Sequence, residues 1–192
     1  EVALSRGIPG AIHDVLSEER EAIAPDAADT AVFYSISNCQ SGLAGISFGN
    51  SLIKQVVADL SQELPNLKTF VTLSPIPGLA RWMDETGTAM PETNDARRQI
   101  AAHYLLNAKR DKGGPYDPVA RFHLGNGASV HAIHAGADRS PNGQRQSGGV
   151  MVNYLYDLRQ ISQNHERFAA SGEIAASPDV TALAAASAKT TE

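Results

Sequence analysis

One serine, one histidine and a glycine-rich loop are the parts of this sequence that could carry chemistry. Ser74 follows an apolar, β-rich run in the stretch TFVTLSPIPGLARWM, residues 69–83. Pro75 favours extended geometry at Ser74 and supplies no N–H, so the direction of the hydroxyl is restricted. Because ligands of open α/β sheets bind beyond the carboxyl ends of strands, Ser74 is a candidate site residue. A serine that only caps the next helix fits equally well, and no G-x-S-x-G nucleophile elbow is present.

The glycine-rich loop SGLAGISFGN, residues 41–50, lies between a predicted strand and a predicted helix. Free backbone N–H groups at a helix N-terminus suit a diphosphate. The loop has neither the GKS/T ending of a Walker loop nor the GxGxxG of a dinucleotide site. A tight turn that merely needs small residues explains the glycines as well.

His123, in the string RFHLGNG, is the third candidate. We predict a strand here, with Arg121 and His123 on one face and Phe122 on the other. A histidine in a strand can be a catalyst or a structural hydrogen-bonding residue. His131 and His134 are predicted to point to opposite faces of a later strand, and no third ligand is spaced with them, so we predict no metal site.

A βαβ unit is predicted to position the serine and the loop. AVFYSIS, residues 31–37, and KTFVTLS, residues 68–74, are rich in β-branched and aromatic residues and are typical of strands. Between them, apolar residues recur at helical spacing from Asn50 to Leu64, and Pro65 ends the helix. The two strands should therefore be parallel, with a right-handed crossover.

The remaining elements are predicted from turn and breaker residues. Val2–Leu4 favours a strand and 10–24 a surface helix. PETN, residues 91–94, begins a helix that runs to Arg110. Asn126-Gly127 predicts a β-hairpin turn between two strands. The string GGVMVNYLYDLRQI, residues 148–161, is interpreted as a helix.

The bulk composition is that of a globular domain and excludes several classes of protein. The chain has 192 residues, with 42% apolar and 19% charged residues, a net charge of −5 and a pI near 5.7. This charge provides no basic field for nucleic acid, and no apolar run is long enough for a membrane span. Cys39 is the only cysteine, so we expect a reducing, cytoplasmic compartment. The sequence starts without methionine and within a predicted strand, so we expect a fragment of a longer protein.

Four strings occur in the order seen in the malonyl-CoA decarboxylase family, which residues 1–158 resemble: FYSISNCQSGLAGISFGNSLIKQVV, LSPIPGLARWM, ARFHLGNGA and GGVMVNYLY. The resemblance implies a GNAT-like α/β (α+β) fold, a mixed sheet with splayed central strands and flanking helices that lacks its first strands. Residues 1–165 would form the C-terminal part of the catalytic domain. Residues 166–192 would form an Ala/Ser/Thr-rich tail, either a weak helix or disordered.

The resemblance also implies a site between the splayed strands, with Ser74 as proton acceptor and His123 as proton donor. The sequence fits equally well a Ser74 that only orients the malonyl carboxylate. A histidine at its reference pKa of about 6.5 could deliver a proton near neutral pH. Tyr156 would lie beside the pair, with Asn153 in support. The malonyl-CoA segment would be Ala44, Gly45, Ile46, Ser47, Phe48, Gly49 and Asn50, to which Ser74, His123 and Tyr156 add substrate contacts. Many relatives have Gln at position 44 and Glu at position 47.

The implied products are acetyl-CoA and CO₂, with no metal, biotin or pyridoxal cofactor, because the thioester is itself the electron sink. A homo-oligomer is expected for the full-length protein. Three other functions stay open: a GNAT-type acyl-CoA-dependent acyltransferase, a non-catalytic acyl-CoA-binding module, and a Ser/His hydrolase for which no acidic partner is identifiable.

Overall fold

The computed structural model describes residues 1–19, 23–36, 48–111 and 113–190, and for 48–52 and 188–190 it describes the backbone alone. In these ranges six strands form one mixed sheet. Their bounds are β1 Val2–Ser5, β2 Thr30–Phe33, β3 Thr69–Thr72, β4 Ser74–Pro75, β5 Ser129–His134 and β6 Met151–Leu155. The helices of the same ranges are α1 Ile12–Leu16, α2 Phe48–Glu63, α3 Leu79–Glu85, α4 Asn94–Asn107, α5 Pro118–Gly125, α6 Pro141–Ser147, α7 Ile161–Ser171 and α8 Pro178–Thr190.

Strand β6 lies at the centre of the sheet. It pairs antiparallel with β3 and β4 in one continuous register and, on its other edge, with β5. Strand β2 pairs parallel with β3 along its four residues, and β1 pairs antiparallel with β2. The predicted βαβ unit of β2, α2 and β3 is therefore confirmed, although β2 ends at Phe33.

The side chains of β2 and β3 alternate between two hydrophobic clusters, as the two-residue period of a strand requires. Phe33 and Phe70 face the larger cluster, to which α2 contributes Ile53 and Val57. Val32, Val71 and Leu73 face a smaller cluster with Val15 of α1. Thr72 and Ser74 follow Phe70 at alternate positions and so lie on the face of the larger cluster.

The splay between β2 and β3 is not seen within the described strands. Their ladder is closed from the Thr30–Thr69 pair to the Phe33–Thr72 pair, and the N–H of Leu73 still donates to the carbonyl of Phe33. Ser74 then pairs with Val152 of β6. The two strands can therefore separate only after Leu73. On the other side, β2 has ended there and residues 34–36 lead into the loop.

The predicted hairpin around Asn126-Gly127 is wrong, because His123 and its neighbours form helix α5. The side chain of Asp117 caps this helix, accepting hydrogen bonds from the N–H groups of Val119 and Ala120, and Pro118 occupies the first helical turn. Asn126 and Gly127 end the helix, with Gly127 at a φ of 83°. The predicted strand faces of Arg121, Phe122 and His123 are wrong for the same reason.

The predicted helix over 148–161 is also wrong. Gly148 and Gly149 have φ values of 60° and 78°, which end α6 and prevent a helix from starting there. Residues 151–155 form β6 instead, with Val152 and Tyr154 facing the larger cluster and Met151 the smaller one. The alternation of β-branched and aromatic residues was a strand signal.

The predicted helix over 10–24 is limited to Ile12–Leu16, because Ser17 is already extended. The helix predicted to start at residues 91–94 is confirmed as α4, which Thr93 caps by accepting from the N–H of Ala96. Beyond residue 165, residues 166–171 belong to α7 and residues 178–190 to α8, and α8 buries Val180 and Ala184 in the larger cluster. The division of the chain at residue 165 stays a prediction. Of the helices in the described ranges, none has the length and apolar character needed to cross a membrane.

Candidate functional site

Ser74 lies on the sheet face that carries the larger cluster. It is the first residue of β4, two residues after the end of β3, and it pairs with Val152 of β6. Its side chain is buried, with 5% of the residue exposed. The Ser74 hydroxyl donates to Thr72 Oγ1 at 2.9 Å and lies 3.3 Å from His123 Nε2. Thr72 Oγ1 also accepts from the N–H of Tyr154. Both lone pairs of that hydroxyl are thus used, which holds Ser74 toward the histidine.

His123 reaches Ser74 from α5, 49 residues further along the chain. Only 3% of the residue is exposed. Its ring stacks on Tyr154, with centroids 4.5 Å apart and planes inclined by 24°. Its second nitrogen, Nδ1, lies 2.8 Å from the hydroxyl of Tyr156. The imidazole is therefore fixed at both nitrogens and on one face.

The protonation of this cluster follows from its burial. Burial lowers the pKa of His123 to about 3, so the imidazole is neutral at pH 7. Burial raises the pKa of Tyr156, so its hydroxyl is protonated. The Ser74 hydroxyl donates its proton to Thr72, so it can only accept a hydrogen bond from His123 Nε2. A neutral imidazole carries a single N–H, which then lies on Nε2 and faces Ser74. The hydrogen bonds run in one direction, from Tyr156 through His123 and Ser74 to Thr72.

The structure brings together three of the predicted site residues: Ser74, His123 and Tyr156. Asn153 lies on the opposite face of β6, where its side-chain amide donates to the carbonyl oxygens of Thr72 and Pro9. It therefore braces the strand behind the site and does not reach the histidine. Thr72 and Tyr154 were missed by sequence reasoning, although the spacing of Thr72 and Ser74 along one strand could have indicated their shared face.

The glycine loop is described only in part. Ala44, Gly45, Ile46 and Ser47 lie outside the described residues. Phe48, Gly49 and Asn50 form the first turn of α2, for which the backbone alone is described. Because β2 and β3 are parallel, this turn follows the same sheet edge at which Ser74 lies.

The other histidines of the described chain make separate contacts. His134 Nε2 bonds to Asn153 Oδ1, and His165 Nδ1 bonds to the carbonyl oxygen of Gly125. Across the part of the chain that the structure describes, there is no cluster of three His, Cys, Asp or Glu side chains arranged to hold a metal ion.

Comparison with known proteins identifies the family of this chain. The family profile of the malonyl-CoA decarboxylase C-terminal domain matches residues 1–95 and 90–192. The mitochondrial malonyl-CoA decarboxylase of Anser anser anser is 32% identical over an alignment of 226 positions, gaps included, which covers 93% of this chain and 45% of that protein. The crystal structure of malonyl-CoA decarboxylase from Rhodopseudomonas palustris matches with a TM-score of 0.88 and 49% identity, over 95% of this chain and 48% of its own.

A more distant structure supports the fold alone. The GNAT-like decarboxylase GphF, solved in complex with isobutyryl-CoA, has a TM-score of 0.55 and 22% identity, covering 82% of this chain and 70% of its own. The GNAT-like mixed α/β fold predicted from the sequence is thereby confirmed. The chain spans about half the length of the malonyl-CoA decarboxylases it matches.

Proposed function

This chain belongs to the malonyl-CoA decarboxylase C-terminal domain family, and we propose that it carries the site at which malonyl-CoA is converted to acetyl-CoA and CO₂. The observation that carries the proposal is the buried contact of 3.3 Å between Ser74 Oγ and His123 Nε2, backed by Tyr156. Ser74 lies in β4, His123 in α5, and Tyr156 directly follows β6, and the three meet beside the carboxyl end of β3.

Loss of CO₂ from malonyl-CoA leaves negative charge on the α-carbon and, by resonance, on the thioester oxygen. The protein has to stabilise this enolate and then protonate the carbon. A preorganised donor aimed at such an oxygen is worth about 3–4 kcal/mol in known oxyanion holes. The thioester is the electron sink, so we propose that the reaction uses no cofactor.

Ser74 orients the malonyl carboxylate in this proposal. In the structure its hydroxyl donates to Thr72 and lies 3.3 Å from His123 Nε2. In this proposal the hydroxyl turns its proton from Thr72 to the bound carboxylate. A carboxylate bound there can be held with the breaking bond perpendicular to the thioester plane, which lets the leaving electron pair enter the carbonyl π system. Positioning of this kind removes orientational entropy before the reaction.

His123 supplies the proton from its neutral form. The Nε2–H bond breaks as the new C–H bond forms on the α-carbon, and the Tyr156 hydroxyl passes its proton to Nδ1. The imidazole stays neutral and Tyr156 is left as a phenolate. A solvent proton then binds Nε2 and the Nδ1 proton returns to Tyr156, which restores the starting tautomer. One proton is consumed for each CO₂ released. The depressed pKa of the free His123 replaces the expectation of an imidazolium near pH 6.5.

The loop before α2 is proposed to bind the CoA pyrophosphate through backbone N–H groups. Residues 44–50 precede and open α2, a helix of 16 residues, and a helix N-terminus attracts phosphate. Ala44 and Ser47 stand where the family resemblance implies Gln and Glu. Backbone binding does not depend on those side chains.

Three proposals concern the whole protein. We expect a homo-oligomer, a cytoplasmic location, and a role in malonate and fatty acid metabolism. None involves nucleic acid or a membrane partner.

Incubation of the full-length protein with malonyl-CoA alone tests the proposed function. Mass spectrometry should show acetyl-CoA formed without an amine acceptor. Transfer only on addition of an amine would indicate an acyltransferase, and release of free CoA thiol would indicate a hydrolase. Tight CoA binding in calorimetry with malonyl-CoA unchanged would indicate a binding module.

A further inference from the structure

Asp117 is a buried carboxylate that the proposed reaction does not use. Its residue is 1% exposed, and it makes no ion pair among the described residues. Burial raises the pKa of its carboxyl. A carboxylate buried without a cation is costly unless hydrogen bonds compensate it. An arrangement that keeps such a group calls for a reason beyond helix capping, because serine or asparagine caps equally well.

The two oxygens of Asp117 bind different parts of the fold. Oδ1 accepts from the N–H groups of Val119 and Ala120, at 2.8 and 2.9 Å, and so caps α5. Oδ2 accepts from the N–H of Gly78 and from the hydroxyl of Tyr104, each at 3.2 Å. The cap needs one oxygen only. The second oxygen joins the helix that carries His123 to the turn that follows Ser74.

The Ser74–Gly78 turn is shaped for this contact. A Cβ on Gly78 would lie 2.2 Å from the Tyr104 hydroxyl oxygen and 3.3 Å from Asp117 Oδ2, so a side chain there would displace the Tyr104 hydroxyl and crowd the carboxylate. Pro75 and Pro77 fix two of the φ angles between Ser74 and Gly78. A stiff turn held at Gly78 transmits its position to Ser74.

We infer that Asp117 is a positioning residue that sets the distance between Ser74 and His123 by holding the Ser74–Gly78 turn against the first turn of α5. This inference rests on the proposed function, since the pair is argued to act on malonyl-CoA. Asp117 touches neither Ser74 nor His123 and acts through the two segments that carry them.

The test compares Asp117→Ser with Tyr104→Phe in the full-length protein. Serine keeps the cap of α5 but is too short to reach Gly78. Phenylalanine removes the other hydrogen bond of Oδ2 and leaves the bond to Gly78 in place. Hydrogen exchange is followed in the peptide spanning residues 74–79, in which the two prolines have no amide. Fragmentation of that peptide in the mass spectrometer separates Gly78 from the amides of Ile76 and Leu79. Steady-state kinetics with malonyl-CoA give kcat and KM.

We expect Asp117→Ser to speed exchange at Gly78 at least tenfold and to lower kcat about 10–100-fold, the scale of a small misplacement in an active site. KM should stay within threefold, because the hydrogen bonds of Asp117 join α5 to the Ser74–Gly78 turn and do not involve α2, whose N-terminus is proposed to bind CoA. Tyr104→Phe should keep both Gly78 protection and kcat within threefold of wild type. A buried cap without a positioning role would lower the melting temperature and leave the kcat of the folded protein unchanged.

Fast hydrogen exchange at Gly78 together with a wild-type kcat in Asp117→Ser would overturn the inference. If that variant does not fold, Asp117→Asn replaces it, because its single acceptor oxygen can keep the cap or the bond to Gly78. In that variant kcat must follow Gly78 protection, and protected Gly78 with low kcat, or exposed Gly78 with normal kcat, overturns the inference. Failure of the proposed function is seen separately, as no acetyl-CoA from the wild-type protein.

Discussion

His123→Asn should change how the stability of the protein depends on pH. In the folded chain burial lowers the pKa of His123 to about 3, whereas in the unfolded chain it should lie near 6.5. The unfolded state therefore binds one more proton than the folded state between these values. A group with a depressed folded pKa contributes stability above its unfolded pKa and loses it as pH falls toward the folded one.

The size of the effect is set mainly by the unfolded pKa, because the folded value lies far below the range measured. Between pH 7.5 and 5.5, His123 should lower the free energy of unfolding of the wild type by about 1.4 kcal/mol, and by about 2 kcal/mol at pH 5.0. Asparagine does not titrate, so this component disappears in the variant. All other titrating groups are common to both proteins and cancel in the difference.

Urea unfolding of the wild type, His123→Asn and Ser74→Ala at pH 7.5, 6.5, 5.5 and 5.0 measures this difference. As pH falls from 7.5, the free energy of unfolding of the wild type should decrease relative to that of His123→Asn, by about 1.4 kcal/mol at pH 5.5 and about 2 kcal/mol at pH 5.0. The stability gap between wild type and Ser74→Ala, which changes the same cluster without removing a titrating group, should stay constant. A His123→Asn gap that is constant within about 0.3 kcal/mol would refute a neutral, buried histidine.

Three further substitutions test the fold and the site. Ser74→Ala should lower kcat for malonyl-CoA about 10²–10⁴-fold, the range for one positioned polar group, and steady-state kinetics within threefold of wild type would remove Ser74 from the reaction. Val57→Asp places a charge where α2 is fully buried and should cost about 3–5 kcal/mol; an unchanged urea midpoint would contradict the packing of α2. Gly127→Ala brings a Cβ to 2.1 Å from the carbonyl oxygen of Ile161 at a positive φ and should lower the melting temperature, whereas Gly87→Ala, with open space at a similar φ, should lower it less.

Local sequence patterns predicted the elements whose formation depends on neighbouring residues, above all the βαβ unit. The βαβ unit followed from the helical spacing of the α2 residues between two β-rich runs, and α2 buries Ile53 and Val57 in the larger cluster. The errors at α5 and β6 arose where two signals competed. Asn126-Gly127 was interpreted as a hairpin turn, although Asp117-Pro118 marks a helix start, and Asn-Gly ends a helix as readily as it turns a hairpin.

For the site, the sequence predicted which residues belong to it but not how they are arranged. The family resemblance selected Ser74, His123 and Tyr156, but the assignment of His123 to a strand placed its side chain on the wrong kind of element. Its contact with Ser74 depends on how α5 packs against the sheet. The two residues are 49 positions apart, and no local sequence pattern specifies that packing. The depressed pKa of His123 was not predictable either, because it comes from burial against Tyr154 and Tyr156 in the folded protein.

The most direct test concerns the proton that His123 is proposed to deliver to the α-carbon. The measurement is the initial rate of acetyl-CoA formation from malonyl-CoA by the full-length wild type and by His123→Asn, with CoA binding by calorimetry as the control for a folded site. The wild type should form acetyl-CoA without an acceptor, and His123→Asn should bind CoA normally while its kcat falls at least 100-fold. A kcat of His123→Asn within threefold of the wild type would contradict this role.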